Sequence, residues 1–135
     1  EVIYTLDTLE YLAHGGRIGR VQALASSLLN IKPVIRVDRT DGKYSTVNKG
    51  RTLKKTMTMM VDHLAEMYQD DSPVWVSVLH GQFAEKADEF TEMLKARLDI
   101  AKLETLRISP VLGVHTGPGI IGATVVPMRL MGDFV

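Results

Sequence analysis

The stretch Thr52–His80, TLKKTMTMMVDHLAEMYQDDSPVWVSVLH, decides the class of fold. Its first part repeats apolar side chains at helical spacing, which predicts an amphipathic helix over Thr52–Gln69. The segment Asp70–Pro73 ends that helix, because it combines polar turn residues with a proline. Val74–His80 is almost entirely apolar and β-prone, which predicts a central strand covered on both faces. A long helix followed directly by a buried strand indicates helices packed on a sheet.

The segments on either side extend this pattern. The other predicted strands are Val2–Leu6, Ile31–Asp38, Lys43–Asn48, Thr105–Ser109 and Ile120–Val126. The other predicted helices are Thr8–His14, Arg17–Leu29 and Ala84–Leu98, with Pro110–Val114 as a turn or short helix. Asp41-Gly42 is a strong hairpin signal, and Pro33 predicts an edge position or a bulge near the start of its strand. We expect an α+β fold: a roughly six-stranded mixed, largely antiparallel sheet with helices packed on it.

Composition excludes several classes of function. The 135 residues match the size of one domain. Sixteen basic and sixteen acidic residues cancel, so no attraction to nucleic acid is indicated. Zero cysteines exclude a disulfide framework and thiolate metal sites. No apolar run approaches the roughly 18 residues that a membrane-spanning helix needs. We therefore expect a soluble, cytoplasmic domain.

Both ends of the chain are unusual for free termini. The first residues lack an initiator Met and begin directly on the predicted strand Val2–Leu6. The last segment, Pro127–Val135, remains apolar, whereas free ends are usually polar and frayed. We expect that the chain was cut from a larger protein or that its ends pack on a neighbour.

A turn with a histidine lies between two apolar segments near the end of the chain. His115-Thr116-Gly117-Pro118-Gly119 joins Ile108–Val114 to Ile120–Val126. Two glycines and a proline in so short a run mark a tight turn. Glycine leaves no side chain between the backbone and a ligand. The turn is able to present an imidazole, a hydroxyl and backbone N–H groups to an anion, although a purely structural turn has the same composition.

Short motifs occur in a definite order along the chain. They are Leu9–Leu12 with Gly15–Ile18, then Ser27–Pro33, Asp41–Lys43, Arg51-Thr52 with Lys54-Lys55, and finally His115–Gly119. In this order and spacing they resemble the C-terminal domain of the DegV family of bacterial fatty-acid-binding proteins, which includes the acyl-carrying B subunit of fatty acid kinase. The resemblance extends from about Tyr4 to Val126, and Pro127–Val135 matches no motif of the family.

The resemblance implies a two-domain protein whose N-terminal DegV domain is absent from this chain, so that residues 1–135 are a single C-terminal lipid-binding domain. A long-chain fatty acid would lie in a tunnel within the second domain, with its carboxyl group between the domains. An ATP-binding, dihydroxyacetone-kinase-like partner would phosphorylate that carboxyl group to an acyl phosphate. The chain would then be a non-catalytic carrier in phospholipid metabolism that needs no cofactor. It has no P-loop motif of its own.

The resemblance also implies a set of carboxylate-binding residues. His115 would donate a hydrogen bond to the carboxyl or acyl-phosphate oxygen, a charge-assisted bond when the imidazole is protonated. Thr116 and the N–H groups of Gly117 and Gly119 would assist. Arg17 matches an arginine close to the family motif, and its guanidinium suits two oxygens. Each has an alternative structural role: His115 capping its own turn, and Arg17 starting a helix or clamping an interdomain surface.

Two further sets complete the expected site. The expected lining of the acyl chain is Ile120, Ile121, Val125, Met60 and Leu64. The expected docking residues for the kinase are Arg51, Lys54 and Lys55. A stripe of Met on a helix is also typical of plain core, and a run of basic residues is also typical of a solvated face. Both alternatives stay open from the sequence.

Other functions are less well supported. His14, His63 and His80 match no zinc spacing, so no metal site is predicted. A lipid-sensing regulatory domain associated with a dihydroxyacetone-kinase-like protein is an alternative to the carrier. A hydrolase that uses His115 as its base is a third, but no serine in a G-x-S-x-G turn supports it.

Overall fold

The computed structural model describes residues 1–14 and 31–132. The strands are β1 (Val2–Leu6), β2 (Lys32–Val37), β3 (Tyr44–Gly50), β4 (Val74–His80), β5 (Ile100–Arg107) and β6 (Ile120–Pro127). The described helices are α1 (Glu10–His14), α2 (Leu53–Met67), α3 (Ala84–Lys95) and α4 (Pro110–Thr116), followed by a 3-10 turn at Met128–Leu130. The predicted helix Arg17–Leu29 lies outside the described residues.

The strands form one six-stranded sheet in the order β3-β2-β1-β6-β4-β5. The β4–β5 pair is parallel, and all the other pairs are antiparallel. This confirms the predicted α+β fold with a mixed, largely antiparallel sheet. The parallel pair requires a crossover connection, which α3 supplies between β4 and β5.

The main core lies between one face of the sheet and helices α2 and α3. Side chains alternate along each strand, so every second residue of β1, β4 and β6 points to this face. Met57, Met60, Val61 and Leu64 of α2 pack there because they recur at three- and four-residue spacing. From α3, Ala87, Phe90 and Leu94 enter the same core. The apolar stripe predicted for the long helix is thus confirmed as core.

A second, smaller core lies on the opposite face of the sheet. It contains Tyr4 and Leu6 of β1, Ile35 of β2, Ile120 of β6 and Leu12 of α1. Helix α1 contacts α4 on this side. Because Ile120 and Ile121 are consecutive residues of one strand, their side chains enter different cores.

Several sequence predictions need correction at the level of single elements. Strand β5 begins at Ile100 and not at Thr105, because it pairs with the whole of β4 and Val74 lies opposite Ile100. Strand β4 is fully buried on one face only, where Val74, Val76 and Val78 lie.

At Pro33 the sequence left open an edge position or a bulge. Strand β2 lies between β3 and β1, and the register shifts between Val34 and Ile35. The proline is therefore accommodated by a bulge in an interior strand. At the start of α1, Thr8 Oγ1 accepts the Glu10 N–H at 3.2 Å, while the preceding Asp7 pairs with Lys32 at 2.8 Å.

Several of the segments that connect the strands meet at the same end of the sheet. The pairing of Leu6 with Ile120 brings the end of β1 to the start of β6. The pairing of Lys32 with Gly50 brings the start of β2 to the end of β3. Strands β4 and β5 end there as well, since His80 lies beside Ile121 and Arg107. We call the segments next to these strand ends the binding edge. The term refers to one end of the strands and not to the outer strands β3 and β5.

Candidate functional site

The predicted His115–Gly119 turn stands at the binding edge, at the end of α4. That helix begins where Ser109 Oγ accepts the N–H of Leu112 at 3.3 Å, with Pro110 in the first turn. It ends at Gly117, whose φ of 78° and ψ of 174° fall in a region that is essentially restricted to glycine. The Gly117 N–H donates to Gly113 O at 2.8 Å. This N–H is therefore used by the helix end, contrary to the expectation that it faces a carboxylate.

Backbone hydrogen bonds fix the turn to two neighbouring segments. Asp7 N donates to Gly119 O at 2.8 Å, and Gln82 N donates to Pro118 O at 2.7 Å. The approach is close: a Cβ at Gly119 would lie 2.7 Å from Asp7 Cβ, and one at Gly81 would lie 2.5 Å from Pro118 O. The glycines are thus required by contact with neighbouring backbone and side chains, and the turn is held rigidly in place.

The two polar side chains of the motif are both drawn inward. Thr116 is only 2% exposed, and its hydroxyl donates to Gly117 O at 3.1 Å. His115 is half-buried, and its Nδ1 is buried without a hydrogen-bond partner among the described residues. A buried ring nitrogen that lacks a partner costs free energy, on the order of 1–3 kcal/mol. The imidazole is therefore the polar group of the turn whose hydrogen-bonding capacity is left unused.

A cleft of about 640 Å³ opens on one side of α4. Its lining includes Gln82, Arg107 and Ser109 as polar groups, and Ile108, Pro110 and Val114 as apolar ones. Arg107 is held across the cleft by a hydrogen bond from its Nε to Gly81 O at 3.2 Å. The volume lies within the range of about 300–1,000 Å³ that is typical of small-molecule sites.

An apolar cavity of about 170 Å³ adjoins this cleft on the other side of α4. Ile108 lines both spaces, and along α4 Val114 lines the cleft while Thr116 lines the cavity. The remaining lining of the cavity comes from Val2, Tyr4, Val37, Tyr44, Leu79, Leu112, Ile120 and neighbouring backbone. A cleft that contains polar groups therefore adjoins an apolar cavity, and His115, which lies between Val114 and Thr116 in the sequence, lines neither space.

Basic side chains concentrate on the binding edge. Arg51, Lys54 and Lys55 are exposed at the start of α2, directly after β3. Thr52 Oγ1 accepts the Lys55 N–H at 3.1 Å, so this first turn is well ordered. Strands β2 and β1 separate β3 from β6, so at about 4.8 Å per spacing the end of β3 lies about 14 Å from the start of β6. The basic cluster and the turn thus share one edge of the molecule.

The predicted acyl-lining residues are divided by the sheet. Ile120 lines the apolar cavity. Ile121, Val125, Met60 and Leu64 lie in the main core on the opposite face, each at most 1% exposed. The structure therefore brings one of the five to the cavity. Arg17, predicted as a carboxylate ligand, lies outside the described residues.

Sequence reasoning missed Tyr4 and Arg107. Tyr4 is a cavity residue because β1 alternates, which places it on the face opposite Ile3. The alternation was visible in the sequence, but which face carried a cavity was not. Arg107 ends β5 beside Gly81, and the misplaced start of that strand concealed its position at the binding edge.

Neither a metal site nor a membrane-spanning helix is found in the described part of the chain. Within residues 1–14 and 31–132, no group of three or more His, Asp or Glu side chains is arranged to hold a metal ion. Over the same ranges, no helix is long and apolar enough to cross a membrane.

The chain is an α+β domain with an apolar cavity beside a glycine-rich turn. Residues 1–128 match the model of the family described as "Uncharacterised protein, DegV family". A DegV domain-containing protein of Deinococcus radiodurans is 37% identical over 127 residues, which cover 94% of this chain and 44% of that protein. The chain therefore belongs to the DegV family, which confirms the resemblance drawn from the motifs. It spans less than half the length of the curated relatives that it matches.

Solved structures of the same family share the fold. A stearic-acid-binding protein from Eubacterium ventriosum superimposes with a TM-score of 0.82 at 31% identity, covering 96% of this chain and 45% of that one. A fatty-acid-binding DegV family protein from Thermus thermophilus gives a TM-score of 0.84 at 27% identity, covering 94% and 45%. Fatty-acid binding is thus a property of proteins that share this fold.

Proposed function

We propose that the chain is the C-terminal, lipid-binding domain of a two-domain DegV protein that binds a long-chain fatty acid. The observation that carries the proposal is the apolar cavity beside the larger cleft, with α4 between them and a His115 Nδ1 on that helix that has no hydrogen-bond partner among the described residues. The fatty-acid-binding proteins among its structural neighbours support the same class of ligand. Burial of each methylene of an acyl chain contributes about 0.8 kcal/mol, which suits an apolar cavity.

In this proposal the carboxyl group lies at the binding edge and the acyl chain runs inward. His115 donates to a carboxylate oxygen, with Thr116 beside it, and Arg17 and Arg107 supply positive charge near the mouth. Ile120, Leu79 and Val2 contact the chain. At about 170 Å³ the cavity is smaller than typical ligand sites of about 300–1,000 Å³, so the chain must also occupy the adjoining cleft.

The second domain completes the carboxylate site in our proposal, because relatives are more than twice as long as the matched region. The domain itself performs no chemistry. A partner kinase phosphorylates the presented carboxylate, and it docks on Arg51, Lys54 and Lys55, which lie on the same edge as the turn. The basic cluster would steer an acidic partner surface toward the carboxyl group.

Mass spectrometry of an organic extract from the purified two-domain protein tests the binding step. We expect a near-stoichiometric long-chain fatty acid from the wild type and a strongly reduced amount from His115→Ala. Val111→Ala is the matched control, since this residue of the same helix is 77% exposed and should leave the lipid content unchanged. A folded protein that carries no lipid and takes up no added fatty acid would refute the proposal.

A further inference from the structure

Tyr4 carries a buried hydroxyl that no part of the proposed carboxylate site uses. The residue lies on β1, opposite Ile35 of β2 on one side and Gly122 of β6 on the other. It is 7% exposed and lines the apolar cavity. Its Oη is buried and makes no hydrogen bond with the described residues.

Because the Tyr4 hydroxyl is buried, its lack of a hydrogen bond costs free energy. Tyr44 packs edge-on against the Tyr4 ring, with centroids 5.9 Å apart and planes at 85°. Burial, and then the adjacent Tyr44 hydroxyl, raise the pKa of Tyr4 above its ordinary value, so the group is a protonated donor at neutral pH. The two hydroxyls are close, but their geometry does not make a hydrogen bond. Leaving such a donor unpaired in an apolar cavity is unfavourable. A ligand that supplies an acceptor at this point removes the penalty.

Thr116 also lines the cavity and carries a buried hydroxyl, but this hydroxyl already has a hydrogen-bond acceptor. It already donates to Gly117 O, so its proton is committed. Tyr4 also stands deeper than the mouth. It is two residues along β1 from Leu6, which pairs with Ile120 at the binding edge, a separation of about 7 Å. In the proposed binding mode, Tyr4 therefore lies beside the acyl chain and not at the carboxyl end.

We propose that the Tyr4 hydroxyl donates a hydrogen bond to an acceptor within the bound acyl chain. The cavity then prefers chains that carry an in-chain acceptor, an oxygen substituent or the π electrons of a cis double bond, over saturated chains of equal length. This inference rests on the proposed fatty-acid binding and adds a chemical preference to it.

The test measures affinities of the delipidated two-domain protein for stearic acid, oleic acid and hydroxystearic acid, which have equal carbon number. We expect at least one acceptor-bearing chain to bind about five- to tenfold tighter than stearic acid, the worth of one hydrogen bond. Tyr4→Phe should remove this preference and leave the affinity for stearic acid unchanged or higher. Tyr44→Phe is the matched control: it deletes the same atom from the residue beside Tyr4 and leaves the Tyr4 hydroxyl in place, so it should preserve the preference.

The outcomes separate this inference from the binding proposal. If the wild type binds no fatty acid, both fail. If it binds all three equally, or if Tyr4→Phe retains the preference, the in-chain acceptor is wrong while fatty-acid binding stands. A uniform loss of affinity for all three ligands in folded Tyr4→Phe would place the hydroxyl on the carboxylate and overturn the inference. A thermal unfolding curve of each variant establishes that it is folded.

Discussion

Gly117 lies so close to the ring of Tyr11 that a Cβ at position 117 would overlap Tyr11 Cδ2. This approach joins α4 to α1 on the cavity side of the sheet. The same glycine adopts φ 78° and ψ 174°, which side chains other than glycine avoid. Two independent constraints therefore require glycine at the centre of the turn, and they fix the orientation of the neighbouring Thr116 and His115.

Gly117→Ala should strongly destabilise the domain. The backbone conformation alone costs a non-glycine residue about 1–3 kcal/mol, and the overlap with Tyr11 adds to it. We expect a loss of about 3 kcal/mol or more in the free energy of unfolding, measured by urea denaturation. Gly42→Ala is the control, because Gly42 has φ 71° but nothing within 4 Å of the added Cβ. Equal losses in the two variants would show that the Tyr11 contact is unimportant.

Gly113→Ala, one turn earlier in α4, should raise the free energy of unfolding and so stabilise the domain. This glycine is inside the helix, and the nearest atom to an added Cβ is Ile108 Cδ1 at 3.9 Å, an ordinary contact. Alanine is favoured over glycine in a helix by about 0.8–1.0 kcal/mol. We therefore expect a rise in stability of up to about 1 kcal/mol by the same denaturation experiment. A loss of stability would mean that the cleft beside Gly113 does not tolerate a methyl group.

Met60→Ala should separate core packing from ligand contact. Met60 is fully buried on the α2 face, whereas Ile120 lines the cavity on the other face. Truncation of a buried Met costs about 2–5 kcal/mol. We expect Met60→Ala to lose stability without changing which fatty acids copurify, and Ile120→Ala to alter the chain-length profile measured by mass spectrometry. A changed lipid profile in Met60→Ala alone would restore the original prediction that α2 lines the acyl chain.

The sequence predicted the elements well where one physical signal dominated. Val74–His80 was correct at both ends because it is apolar throughout and is bounded by Pro73 and Gly81. The α2 helix was correct because its apolar stripe is long and Thr52 caps it. The start of strand β5 was predicted at Thr105 instead of Ile100, because Lys102 and Glu104 interrupt the apolar pattern of this outer strand. Here pairing with β4 decides the structure, and that information is not local.

The site was less predictable than the fold for a related reason. Period-two alternation separates Ile120 from Ile121, but the sequence does not say which face holds a cavity. The lining was therefore assigned to both faces, and the cavity adjoins Ile120 alone among the five predicted residues. Tyr4 escaped notice because its unpartnered hydroxyl results from tertiary packing. Motif similarity located the turn, while geometry was needed to find the interior.

The acid stability of the domain should depend on Arg129. Its Nε and Nη2 donate to Asp71 Oδ1 and Oδ2 at 2.6 and 2.8 Å, and this lowers the pKa of Asp71 below 3.8. A lowered carboxyl pKa stabilises the folded state above the unfolded value, and the contribution disappears as the pH falls through the folded value. In Arg129→Met we expect the Asp71 pKa, followed by NMR, to rise toward its ordinary value. Unfolding between about pH 5 and pH 2 should then show a weaker pH dependence than in the wild type. An unchanged Asp71 pKa would refute the role of the pair.

Charge reversal at the start of α2 should separate kinase docking from lipid binding. Arg51, Lys54 and Lys55 are exposed, and they follow the end of β3, which lies about 14 Å from the start of β6 beside the turn. We expect the triple variant Arg51→Glu, Lys54→Glu, Lys55→Glu in the two-domain protein to retain its fatty acid. Acyl phosphate formation with the partner kinase should fall at least tenfold through a raised KM for the carrier, because rim charges mainly set the rate of association. Lys43→Glu with Lys95→Glu, before the start of β3 and at the end of α3, is the control for charge reversal at the opposite end of the sheet. The decrease should shrink at high salt, since screening weakens exposed charge pairs. Equal effects of the two charge reversals would identify a general charge effect and remove the basic cluster as a docking site.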